Sequence, residues 1–440
     1  MKIKESFLIL LFCCLYLTLY SQPKGIYVLD SNNGTFRDAN IRNYSFVDGY
    51  VWRTSWSEIE TAKDNYNFDG IDHIVKKLDA INKKLTILFG AYAVEPEYVA
   101  SHSGVISYSF TNPIDKTTTK RAVPYDTYLM QRFQIFLTAL ANHKIYSIST
   151  STMVALKDHP VLSNIATNIA GLGAIRNVNG QNTSLNTVLP NYNRNVFTAS
   201  ILSGMKIQTD LFPSKNVFIP FYKNINDNIS SPTLESDIKT KLLSLFDGVK
   251  NPKISFWQEN LAGYTDASTN TFTGLPLTTF ATPLLELNDN AYTMFQMLQG
   301  WTTPFLDPNK TANSTPFDAM CYAYNTYGAS YYEIYVSDID NLNYQTAFNN
   351  WTASNCTIKP TTEIKSGKIS IYPNPSLHTI SIGGIDTHQK LKISIFDEKA
   401  NLQLLTEIPE DIDISSLSNG VYYVQIKQNK KISNLKLIKN

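Results

Sequence analysis

Carboxylic acids next to aromatic residues, at the ends of short apolar runs, are the groups in this 440-residue chain best suited to chemistry. Ile254-Ser255-Phe256-Trp257 runs into Gln258-Glu259-Asn260, Pro283-Leu284-Leu285 ends at Glu286, and Tyr331-Tyr332 leads into Glu333. Two earlier runs end near Arg53 with Trp56 and near Tyr92. Glycosidic bond cleavage uses two such acids. One protonates the leaving oxygen, and the other attacks the anomeric carbon from about 5 Å away or activates water from about 6.5–9.5 Å. Aromatic faces suit the C–H surface of a sugar, while carboxylates and amides bind its hydroxyls. On this reading Glu286 and Glu259 are candidate catalytic acids, and Arg53, Trp56, Tyr92, Trp257, Asn260 and Glu333 are candidate sugar contacts. Each also has a structural reading. Arg53 could pair with a core carboxylate, Glu259 and Glu333 could be strand-end acids, and Trp56 and Trp257 could be core rings. Glu286 could sit favourably ahead of a helix N-terminus. No metal or cofactor is expected, since the six histidines show no ligand spacing such as His-Glu-x-x-His.

Such residues need a scaffold that gathers strand ends. Strand-like runs fall at 25–30, 47–56, 85–89, 145–156, 217–222, 254–257, 283–286 and 331–336. Between them, Phe68 to Ile81 carries apolar residues at helical spacing, Asp126 to Asn142 does the same, and Ala291–Leu298 reads as a further helical run. Alternation of this kind predicts an α/β fold, a (β/α)8 TIM-type barrel over 23–351 with its site at the C-terminal ends of the strands. A doubly wound open sheet is the alternative, without the Gly-x-Gly-x-x-Gly loop of its dinucleotide-binding forms. A net charge of +1 offers no basic patch for nucleic acid.

The run Gly49-Tyr50-Val51-Trp52-Arg53-Thr54-Ser55-Trp56, followed by Glu58-Ile59-Glu60, Tyr66-Asn67-Phe68-Asp69 and Ile71-Asp72, is similar to strand two and the following helix of clan A, β-galactosidase-like glycoside hydrolases. The resemblance implies that Arg53 braces a nucleophile placed after strand seven, which is Glu286 if that strand is 283–286 and Glu259 if the count is off by one, and that a general acid/base Glu follows strand four. The stretch 149–160 contains no Glu. Its nearest acid, Asp158, has Lys157 and His159 as neighbours, which favour the ionised form rather than the raised pKa that a proton donor needs. Two functions are therefore carried forward: a secreted glycoside hydrolase-like enzyme acting on poly- or oligosaccharide, and a catalytically inactive barrel that binds glycan at the cell surface.

The two ends of the chain speak to its destination. Lys2 and Lys4 precede an apolar run from Phe7 to Leu19, too short to span a bilayer, which predicts a signal peptide over 1–21. No later segment is apolar for long enough to cross a membrane. Residues 352–366 are polar and turn-rich and read as a linker. Over 367–440, alternating runs such as Leu391–Asp397 and Gly420–Ile426 are punctuated by Pro373, Pro375 and Asn419-Gly420, which predicts a small all-β, Ig-like sandwich. The order Tyr-Pro-Asn-Pro, Asn-Gly-Val-Tyr-Tyr-Val-Gln-Ile and a lysine-flanked end resembles the type A C-terminal sorting domain of the type IX secretion system of Bacteroidetes. It implies type IX secretion machinery as a partner and a secreted or outer-membrane surface location. Cys321 and Cys356, outside the leader, could be bridged or could be two free core residues.

Overall fold

The computed structural model describes residues 22–29, 38, 41–89, 95–111, 116–166, 184–221, 225–246, 254–262, 265–266, 271–272, 284, 287, 291–298, 300–301, 315–352, 356, 370–383, 391–399, 401–407, 412–428 and 431–440. The predicted signal peptide lies outside these residues, as does nearly all of the predicted linker. The chain divides into two compact units at Cys356, apart from the short stretch Asp266–Thr271, which groups with the second unit.

The first unit is built on a closed barrel of eight parallel strands. They are β1 (Gly25–Leu29), β2 (Gly49–Thr54), β3 (Lys84–Phe89), β4 (Leu162–Ala166), β5 (Asn216–Pro220), β6 (Ile254–Leu261), β7 (Tyr292–Met297) and β8 (Tyr331–Tyr335). Each pairs with its sequence neighbours, and β1 pairs with β8 to close the ring. Side chains alternate along each strand. One set, including Leu29, Val51, Leu88, Phe218 and Met294, packs inside the barrel. The other set, including Val28, Ile87, Val217 and Phe256, joins the larger core beneath the helices. Gly49 has to be glycine, because a Cβ there would lie 2.4 Å from the Tyr27 ring and 2.6 Å from the Lys84 carbonyl oxygen.

The longer helices are α1 (Asp69–Ala80), α2 (Thr127–Asn142), α3 (Arg194–Leu211), α4 (Leu234–Leu245), α5 (Pro316–Tyr327) and α6 (Leu342–Asn349). Helix α1 buries Ile71, Ile74, Val75 and Leu78, the i, i+3, i+4, i+7 stripe of a helix packed on a sheet. Helix α2 starts where the Asp126 carboxylate accepts a hydrogen bond from the Leu129 N–H. Helix α5 carries a capping box of Thr315 and Asp318, with Pro316 in its first turn.

Two expected strands are corrected. Residues 145–156 do not form the fourth barrel strand. Lys144–Ser147 and Thr152–Ala155 pair as an antiparallel hairpin outside the barrel, with Ser151 at positive φ in its turn. Tyr146 and Met153 are exposed on it, whereas a barrel strand is covered on both faces. The true β4, Leu-Ser-Asn-Ile-Ala, is disguised by the polar side chains it directs inward. Nor is 283–286 the seventh strand, and Ala291–Leu298 is not helical. Tyr292–Met297 is β7, a short apolar run of the kind whose periodicity does not separate strand from buried helix.

Cys321 on α5 is joined to Cys356 by a disulfide with 4.9 Å between the Cα atoms, across a separation of 35 residues. Cross-linking a loop of that length restricts the unfolded chain and stabilises the fold by on the order of 3–4 kcal/mol. Reduction is expected to lower the urea midpoint of the first unit accordingly, and coincident urea curves with and without reductant would rule out this stabilisation.

The second unit contains two antiparallel sheets. One is three-stranded, with β9 (Ser370–Tyr372) and β13 (Ile412–Asp413) flanking β10 (Thr379–Gly383). The other is four-stranded and runs β12 (Leu402–Thr406), β11 (Leu391–Phe396), β14 (Gly420–Gln428), β15 (Lys431–Lys439). Ile380, Ile382, Ile393, Ile395, Val424, Ile426 and Leu437 fill one core between them, as expected of a small sandwich. The Tyr-Pro-Asn-Pro motif has a structural job here. The Asn374 amide donates to the Lys436 carbonyl at 2.6 Å and accepts from the Ile438 N–H at 2.9 Å, which ties the motif to the last strand.

Candidate ligand site at the mouth of the barrel

The inward-facing polar residues of the barrel form a connected set. Near the N-terminal half, Ser255 donates to the Asn216 side-chain oxygen at 2.6 Å. The Asn216 amide in turn donates to the Asn164 oxygen at 3.1 Å. The Asn164 amide donates to the Thr86 hydroxyl at 2.9 Å. The Tyr331 phenol lies 2.8 Å from that hydroxyl and 3.1 Å from Glu333 Oε1. A phenol has one proton, so it donates to Glu333 and accepts from Thr86, whose own oxygen already takes the Asn164 bond. Trp257 Nε1 adds a second donor to Glu333 Oε1 at 3.0 Å. Strands β3, β4, β5, β6 and β8 thus converge on one carboxyl group.

Glu333 is wholly buried. Desolvation pushes its pKa up to about 7, against the opposing pull of the Arg53 charge and of the Tyr331 and Trp257 hydrogen bonds. Its second oxygen, Oε2, is buried without a hydrogen-bond partner.

Closer to the strand ends, Arg53 of β2 donates from Nη2 to the Gln296 side-chain oxygen of β7. The Gln296 amide donates to the Met297 carbonyl oxygen at 3.2 Å. Arg53 is half-buried, its Nε has no partner, and no carboxylate among the described residues lies within ion-pair distance of it.

The candidates named from sequence scatter. Arg53, Trp257 and Glu333 share the barrel interior, and Trp257 holds Glu333 rather than presenting an open platform. Glu259 is half-buried toward the C-terminal end of β6. Asn260 belongs to β6, and its side chain lies outside the described set. Tyr92 and Glu286 are outside the described residues, and Glu286 precedes β7 in the chain rather than ending it. Trp56 faces away from the barrel interior. Its ring stacks on Phe136 of α2 at 5.3 Å, and its Nε1 donates to the buried Glu60 at 2.6 Å. Asp158 is exposed in the turn ahead of β4, at the opposite end of that strand from the mouth. Gln296, Tyr331 and the Thr86–Asn164–Asn216–Ser255 chain were missed. Only the correct placement of β4 and β7 could have marked the inward positions of Asn164 and Gln296.

Residues 370–440 match the family model of the secretion system C-terminal sorting domain. The chain therefore carries a type IX sorting tail. Export to the cell surface or beyond it follows from that tail, and no helix among the described residues is long and apolar enough to cross a membrane. No curated protein matches the chain. Among solved structures it is similar to a β-galactosidase from Bacillus circulans sp. alkalophilus, with 15% identity over 71% of this chain and 50% of that one and a TM-score of 0.43. It is also similar to an intracellular xylanase from Thermoanaerobacterium saccharolyticum, with 13% identity over 73% of this chain and 88% of that one and a TM-score of 0.37. A third likeness is to PorZ, a surface component of the type-IX secretion system of Porphyromonas gingivalis, with 20% identity over 16% of this chain and 11% of that one and a TM-score of 0.15. The chain spans about half the length of the β-galactosidase. The barrel itself is established by its strand order. Deleting the residues after about 365 is expected to leave the protein in the periplasm. Surface protease digestion of cells carrying the truncated form checks this, and normal surface display would overturn it.

Proposed function

We propose that the chain is an exported barrel that binds carbohydrate at the C-terminal ends of its strands without hydrolysing it. One observation carries the non-hydrolytic reading. The strand-two arginine meets a neutral amide, Gln296, on strand seven, where the resemblance of Gly49–Asp72 to β-galactosidase-like barrels implies a carboxylate nucleophile. The acid/base position is empty of acids as well, since no Asp or Glu occurs between Asp158 and Asp210, a stretch that includes β4 and all that follows it up to late α3. Both schemes of glycoside hydrolysis need two carboxyl groups across the scissile bond. The carbohydrate ligand class rests on the same resemblance.

A second reading is favoured by Glu333. A carboxylic acid held protonated to about pH 7 has the property required of a general acid, and Glu259 on β6 would be its partner. Incubating the mature protein with a glycan panel separates the readings. The expected result is saturable binding by calorimetry with no release of reducing ends. Hydrolysis that drops by a hundredfold or more in Glu333→Gln or Glu259→Gln would replace the binding reading with the enzymatic one.

A further inference from the structure

We infer that the sugar taken by this barrel is acidic, with a carboxylate seated on the Arg53 guanidinium. The inference rests on the proposed carbohydrate-binding function and narrows its ligand. Arg53 presents a fork of donors inside a closed ring of strands, yet among the described residues its hydrogen-bond partner is the uncharged oxygen of Gln296. Its Nε–H is buried with no acceptor. A half-buried guanidinium with no counter-charge among the described residues is stabilised by an incoming anion, and its planar fork matches a carboxylate two bonds at a time. Gln296 cannot supply that charge, and its amide is already turned to the Met297 carbonyl.

The charge of Arg53 acts on Glu333, and among the described residues no ion pair joins the two. Among the described residues, four groups act on Glu333: Arg53 from β2, Trp257 from β6, and Tyr331 and Tyr335 from β8. Only Arg53 among them is charged near neutrality. Below about pH 7 Glu333 is protonated, and Arg53 carries the only net charge of this group. Above that pH, ionised Glu333 repels a second carboxylate. Preference for an acidic sugar is therefore strongest on the acid side of neutrality and weakens as pH rises through 7. Tyr335, half-buried beside Arg53, supplies an aromatic face for the ring that carries the acid.

Titration calorimetry of the mature protein at pH 6 with trigalacturonate, neutral galactotriose and sodium acetate tests the inference. A charge-assisted pair predicts roughly 10- to 100-fold tighter binding of trigalacturonate than of the neutral sugar. Acetate is expected to bind far more weakly than either, since it lacks the sugar. Gln296→Glu, which gives Arg53 an internal carboxylate, is expected to erase the preference while leaving the melting temperature near that of the parent. Arg53→Lys should retain part of it. Equal affinity for acidic and neutral sugars, or a preference that survives Gln296→Glu, overturns the acidic-ligand inference and leaves carbohydrate binding standing. Failure to bind either sugar overturns both.

Discussion

Replacing Glu60 by alanine is expected to destabilise the barrel by about 3–5 kcal/mol, enough to leave a large fraction of the variant unfolded at physiological temperature. Glu60 is fully buried between the loop after β2 and helix α2. Its Oε1 accepts from Arg132 Nη2 at 2.6 Å, from the Tyr98 hydroxyl at 2.7 Å and from the Asp64 N–H at 2.9 Å. Its Oε2 accepts from Trp56 at 2.6 Å. Truncation would take this acceptor from all four donors, two of them on the nearly buried Arg132 and the deeply buried Trp56 side chains. Asp64 remains beside Arg132 at 2.8 Å but is half-exposed and compensates only partly. The pair Glu60→Leu with Arg132→Met removes both charges together, and is expected to recover much of the loss. Urea unfolding of the three proteins checks the sequence of effects. A single variant as stable as the parent would show that the cluster contributes nothing.

Glu333 predicts an effect of opposite character. Its folded-state pKa of about 7 lies above the ordinary value of 4.5, so the folded state holds the proton more tightly than the unfolded chain does. The stability tied to that proton is fully present below pH 4.5 and is lost as pH rises through 7. A gap of this size corresponds to about 3 kcal/mol between pH 4.5 and pH 8. Glu333→Gln keeps the acceptor for Trp257 and Tyr331 and removes the titration. The variant should match the parent near pH 4.5 and exceed it at pH 8. Parallel stability curves for parent and variant across that range would refute the burial argument. Other acids pull the other way: burial raises the Asp227 pKa, but its bonds with Arg194 and Tyr192 outweigh that and lower it, so the fold weakens when Asp227 is protonated at low pH. Only the difference between parent and variant isolates Glu333.

These two acids mark the difference between local and tertiary determination. Glu60 stands in the run Arg53…Trp56…Glu60, four residues after the tryptophan it holds, and local spacing alone brings it near. Glu333 acquires its character from Trp257, Tyr331 and Arg53, on strands separated by as much as 280 residues of chain (333 − 53). No window of sequence contains that environment.

Parts governed by local pattern can be read directly from the amino-acid order. The β-sandwich of the tail was legible because its alternating runs and turn residues are contiguous, and its sorting role came from the resemblance of its ordered motifs to a known family. The barrel class was legible from the alternation of strands and helices, and α1 and α2 from helical spacing in long segments. The place of Arg53 on β2 was legible from its neighbours. Tertiary structure alone decided which segments became β4 and β7, because a five- or six-residue strand buried on both faces has no period of its own. It decided that Cys321 meets Cys356 and that Trp56 belongs to the outer core. It also set Gln296 against Arg53. The inside of a parallel barrel is assembled from every second residue of eight distant strands, so its chemistry exists only once the ring has closed.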